Sequence, residues 1–182
     1  MELKIFHIKK LLFAGKNIAI IALLFITIFF LQSSLFAQGK SDKMTKPGIT
    51  IHQEINFKVK PQQLYEALLS SKEFSECTKK SFNVFTEMSA NIDATVGGTF
   101  SLFDGHITGR ILELVPDQRI VEAWRVIDWP EGVYSIAKFE FKPQGSGTKL
   151  IFDHIGFPDG LKEHLSIGCQ QHYWDALIKY LH

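Results

Sequence analysis

Between Thr99 and Ile155 the chain runs through five stretches of alternating residues closed by turn signals, then ends on one long amphipathic segment. That succession constrains the fold more than any other feature. In 134–141, Ser135, Ala137, Phe139 and Phe141 share one face, while Lys138 and Glu140 share the other. In 148–154, Leu150, Phe152 and His154 face one way and Lys149 and Asp153 the other. Asp104-Gly105, Pro116-Asp117 and Gly145-Ser146-Gly147 are turn formers. Strands joined by such short turns pair antiparallel. In Asp159–Leu181, Cys169, Tyr173, Trp174, Ala176, Leu177, Tyr180 and Leu181 crowd one side of a helical wheel. His164, Gly168, Gln171, Asp175 and Lys179 fall on the other. So wide an apolar face needs a large surface to lie on, and the sheet is the large surface available.

The upstream part completes an α+β order. Ile49–Val59 alternates with Ile49, Ile51, Ile55, Phe57 and Val59 in one register, which predicts a strand. Pro61 opens a short helix at its favoured first turn, with Leu64, Tyr65, Leu68 and Leu69 at helical spacing. Ser71 is placed to cap a second short helix carrying Phe74 and Cys77. Phe82–Phe85 reads as a short strand, and Gly97-Gly98 as a bulge or turn. The expected order is strand, two short helices, six strands and a long C-terminal helix. A curved antiparallel sheet wrapped around that last helix accounts for it.

Residues 1–37 read as an export signal. Lys4, Lys9, Lys10 and Lys16 precede Ile18–Leu31, 14 residues without a charge. A membrane span needs about 20 apolar residues, so this length fits the apolar region of a signal peptide. Cleavage after Ala37 would leave Gln38 first. The other reading is an uncleaved anchor over residues 11–31, which would be the chain's one tie to a membrane. Residues 38–48 are polar and read as a flexible lead-in to a domain over 49–182. The expected location is periplasmic or extracellular.

Beyond the leader the chain has 16 basic and 18 acidic residues, and no basic stripe, so nucleic acid is not an expected partner. The two cysteines, Cys77 and Cys169, either pair in an oxidising compartment or stay as buried thiols. No histidine spacing matches a metal site, and no nucleophile elbow or phosphate loop is present. Neither catalytic residues, a metal nor a cofactor is therefore expected.

Four ordered segments carry a family resemblance: GGTFSLFDGHITGRILELVPDQRIVEAWR (97–125), WPEGVYSIAKFEF (129–141), GTKLIFDHIGFP (147–158) and GCQQHYWDALIKYL (168–181). They resemble the activator of Hsp90 ATPase C-terminal-type domain, grouped in the SRPBCC superfamily. The resemblance covers about 49–182 and implies the helix-grip, or START-like, fold. It also implies a cavity between sheet and last helix that holds a small apolar molecule. Family members often have Gly-Trp where this chain has Gly168-Cys169. The smaller side chain would leave more room under the helix or free the thiol for Cys77. An exported chain meets neither cytosolic Hsp90 nor ATP, so Hsp90 is not the expected partner.

Strand alternation places Phe100, Leu102, Trp124, Phe139, Phe141, Phe152 and His154 toward that cavity, with Cys169 and Tyr173 facing them from the helix. His154 has two readings. It is a ligand-binding group or base, as in a cyclase or aromatase, or a core histidine paired internally. Glu122 and Arg125 are either a polar anchor beside Trp124 or a surface cross-strand pair. Trp129 sits in a loop that is either a rim or packed on the sheet edge. His164 and His172 lie on the outer side of the wheel. The leading expectation is a binding module for an apolar ligand, with a co-chaperone-like interaction module as the alternative.

Overall fold

The computed structural model describes residues 49–82 and 88–182. Seven strands form one antiparallel sheet: β1 (Ile51–Phe57), β2 (Asn91–Ile92), β3 (Thr99–Leu102), β4 (Ile107–Val115), β5 (Arg119–Val126), β6 (Ser135–Gln144) and β7 (Gly147–Ile155). Their order is β1-β7-β6-β5-β4-β3-β2. Strands β2 to β7 are neighbours in chain order, as a meander requires, and β1 pairs with β7 at the far edge. Helices α1 (Pro61–Leu69) and α2 (Ser71–Phe82) follow β1. The C-terminal helix runs as α3 (Lys162–Cys169), a π-helical segment (Gln170–Trp174) and α4 (Asp175–Leu181). The fold is therefore the expected α+β architecture.

Local details depart from the sequence reading. Ser70, not Ser71, caps α2: its Oγ accepts the Glu73 N–H at 3.2 Å. Ser71 instead accepts the Ile92 N–H at 2.8 Å, and Ser75 accepts that of Ala90 at 2.8 Å. These two hydroxyls tie α2 to β2, so the short strand forms at Asn91–Ile92, where Ile92 pairs with Phe100. Phe82 closes the helix, and 83–87, part of the expected strand Phe82–Phe85, lie outside the described residues, as do residues 1–48. Ile49 lies outside β1 and is exposed. A register shift between Ile111 and Glu113 turns Leu112 out to solvent.

The core lies between the concave side of the sheet and the C-terminal helix. Trp174 is fully buried, against Phe139, Phe152 and Tyr173. Its indole N–H donates to Gln53 Oε1 at 2.7 Å, and the Gln53 amide donates to the Ser166 carbonyl at 3.0 Å. One β1 side chain thus ties the helix to the sheet edge at two points, Ser166 and Trp174. On β4, Gly109 admits the Phe100 ring of β3. A Cβ there would lie 2.3 Å from Phe100 Cζ and 2.1 Å from the Ala123 carbonyl oxygen. Among the described residues no helix is long and apolar enough to cross a membrane.

Candidate functional site: a cavity under the C-terminal helix

The sheet and the C-terminal helix leave an open cavity of about 610 Å³. Phe103 and His106 come from the β3–β4 turn, and Trp124 and Val126 from β5. Asp128 and Trp129 come from the following loop. Leu161, His164, Leu165, Gly168, Cys169, His172 and Tyr173 descend from the helix side. The wall is mostly apolar, with a few polar groups at its margin, as ligand pockets commonly are.

Each wall element has a local cause. Phe103 holds φ 52, a left-handed conformation that a bulky residue rarely adopts. The turn is braced by Asp104, whose carboxylate accepts the Ser89 N–H at 2.9 Å and hydroxyl at 2.6 Å. The Phe103 ring then meets Phe74 at 5.6 Å and Tyr173 at 5.5 Å. Arg125 makes no pair with Glu122. It donates to the Trp129 carbonyl at 2.6 Å and so seats the buried Trp129 in the cavity wall. The helix wheel assigned Gly168, His164 and His172 to solvent, yet all three border the cavity, which opens along that flank.

All nine residues placed inward from the sequence are buried, but the structure divides them. Trp124, Cys169 and Tyr173 line the large cavity. Phe100, Leu102 and Phe139 line a small void of about 10 Å³, together with Glu122 and Tyr173. Phe141, Phe152 and His154 are core residues that border neither space. Cys77 and Cys169 are buried thiols that form no disulfide with one another. Burial pushes the Cys169 thiol up to about 12, which leaves it protonated and unreactive.

His154 sits behind Trp124, ring to ring at 4.8 Å. Its Nε2 lies 2.6 Å from Ser135 Oγ, which donates to the Trp124 carbonyl at 3.1 Å. With the serine proton committed, Nε2 carries the hydrogen and donates to Ser135. Burial lowers its pKa to about 4, so the ring is neutral at neutral pH. This histidine is paired internally through one nitrogen, to Ser135 rather than Tyr173, while its Nδ1 is buried without a hydrogen-bond partner among the described residues.

Glu122 is buried among rings, with burial alone raising its pKa to about 8. Desolvation favours the uncharged acid, so it enters neutral conditions mostly protonated. The Tyr173 hydroxyl and Trp124 Nε1 are buried without a hydrogen-bond partner among the described residues. At the mouth, burial lowers the pKa of His172, and the nearby His106 and His164 lower it further. No group of three or more His, Cys, Asp or Glu among the described residues could hold a metal ion.

Known proteins place the domain. The mouse Activator of 90 kDa heat shock protein ATPase homolog 1 is 28% identical over 141 residues, 78% of this chain and 39% of that protein. The chain therefore spans about two-fifths of the relative's length. A crystal structure of an HSP90 activator from Plasmodium falciparum superposes with a TM-score of 0.65 at 28% identity, covering 71% of this chain and 94% of that one. The solution structure of the Aha1 dimer from Colwellia psychrerythraea shares the fold, with a TM-score of 0.59 at 18% identity, covering 73% of this chain and 96% of that one. The family described as Activator of Hsp90 ATPase homolog 1-like protein matches residues 58–182. With most of its length matched, the chain belongs to the Activator of Hsp90 ATPase homolog 1-like family, on an SRPBCC-type helix-grip fold.

Proposed function

We propose that this domain is a non-catalytic binding module that holds a small, largely apolar molecule in the cavity between the sheet and the C-terminal helix. The cavity itself carries this reading. At about 610 Å³ it is within the size of small-molecule sites and is walled by Phe103, Trp124, Trp129 and Tyr173. The cyclase-type alternative is not favoured, because His154 is buried behind the cavity wall and borders neither the cavity nor the small void. Export belongs to the same proposal. N-terminal sequencing of the secreted protein should begin at Gln38, and retention of residues 1–37 would favour the anchor reading.

Gly168 supplies the sharper test. It lies within α3 and lines the cavity, and a Cβ built there meets nothing within 4 Å. Gly168→Leu should therefore fill the cavity without disturbing the backbone. It should also add up to about 1 kcal/mol by removing a mid-helix glycine. Native mass spectrometry of protein purified without detergent should show a retained small molecule in the wild type and none in Gly168→Leu. An empty wild type that takes up nothing from a lipid and polyketide panel would sink the reading. It would turn attention to a protein partner, such as the Hsp90-type ATPases named for the relatives.

A further inference from the structure

Three polar side chains at the inner end of the cavity have no internal purpose in the fold. Glu122 and Trp124 are two residues apart on β5, so they project from the same face, and Tyr173 meets them from the π-helical segment. All three are at least nine-tenths buried. Trp124 Nε1–H lies close enough to the Tyr173 hydroxyl to act on its pKa, yet neither group makes a well-formed hydrogen bond among the described residues. Buried polar groups are normally paired, because leaving one unpaired costs free energy. Two such donors side by side, next to a buried carboxyl, mark a place where something else supplies the partner.

We propose, building on the cavity reading above, that this inner end is a carbonyl-binding subsite: Tyr173 and Trp124 donate to an uncharged carbonyl oxygen on an otherwise apolar ligand, and Glu122 supplies a further donor when the Tyr173 side chain turns aside.

The chemistry of the set selects the group. An indole N–H can only donate, and a phenol and a protonated carboxyl can both donate. A set dominated by donors fits an acceptor. A carboxylate ligand would bring an unpaired charge into an apolar wall beside another carboxyl, which is costly. An alkyl group would leave every donor unpaired. Among the described residues Tyr173 is also the one that lines both the large cavity and the small void holding Glu122. It therefore forms the partition between the two, and a rotation of its side chain joins them. It sits on a π-helical turn, a local irregularity often found at functional sites.

The test uses displacement of the neutral dye Nile red by three probes with one ring system: ethylnaphthalene, acetylnaphthalene and naphthoate. The first two share a shape and differ in the carbonyl oxygen. Acetylnaphthalene should bind roughly tenfold more tightly than ethylnaphthalene, the value of about one well-made hydrogen bond. Tyr173→Phe and Trp124→Phe should each erase most of that preference while leaving ethylnaphthalene binding in place. Glu122→Gln, which keeps an N–H donor, should preserve the preference, and Glu122→Leu should reduce it. Equal binding of the two neutral probes by the wild type, or tightest binding of naphthoate, would overturn the subsite and leave the cavity reading standing. Failure of the dye and all three probes to bind would overturn both.

Discussion

Glu122→Gln is expected to stabilise the protein by about 3 kcal/mol at pH 7, since each pKa unit is worth about 1.4 kcal/mol. The folded state raises the Glu122 pKa from 4.5 to about 8, by burial. A raised carboxyl contributes its stability fully below pH 4.5 and loses it as pH climbs toward 8. At pH 7 the unfolded chain has released this proton, and the folded chain must recover it. Glutamine has nearly the same shape and no proton to recover. Urea unfolding of both proteins at pH 4 and pH 7 checks this, with similar midpoints expected at pH 4 and a clear separation at pH 7. A wild type as stable as the variant at pH 7 would show that the carboxyl is solvated or paired. A buried acid that costs stability at neutral pH needs a reason to be there, and the carbonyl subsite supplies one.

The sequence made the architecture legible because its strands alternate strictly. Ala137, Phe139 and Phe141, and likewise Leu150, Phe152 and His154, are buried as the period of two requires. Glu122 shares the register of Trp124, and alternation placed it inward. Charge pointed the other way, because a glutamate near an arginine usually means a surface pair. The two are an odd number of positions apart on β5 and so lie on opposite faces: Arg125 holds the Trp129 carbonyl, and Glu122 is buried inside. Such a choice of partner is tertiary and leaves no local signal. The cavity wall was less legible. Gly168, His164 and His172 lie on the polar side of an ideal wheel, and a wheel knows nothing of an opening at the helix flank. Nor does it register the π-helical segment at Gln170–Trp174, which changes the helix phase before Tyr173 and Trp174. The short strand at Asn91–Ile92 exists because Ser71 and Ser75 reach its amides, a contact across about 20 residues that no periodicity encodes.

Between pH 4.5 and 6.5 the wild-type stability should be nearly flat, and His154→Phe should tilt it by about 2 kcal/mol, since each proton gained or lost is worth about 1.4 kcal/mol per pH unit. Burial lowers the His154 pKa from 6.5 to about 4. Its stability contribution is present above pH 6.5 and is lost as pH falls toward 4, because the unfolded ring takes a proton that the folded ring refuses. Glu122 has the opposite sign over the same interval, gaining stability as pH falls. The two slopes oppose one another, and the mouth histidine His172, also lowered by burial, adds to the histidine side. Phenylalanine suits the site, which is walled by Trp124, Phe152 and Phe157, while Ser135 keeps the Trp124 carbonyl as its acceptor. With His154 removed, only the smaller His172 slope opposes that of Glu122, and stability should rise on acidification to pH 4.5. With Glu122→Gln the histidine slope stands alone and stability should fall over the same range. Urea midpoints for the three proteins at half-unit steps of pH decide it. A wild type that already loses stability steeply from pH 6.5 to 4.5, with no change in His154→Phe, would mean that neither buried group titrates as its surroundings require.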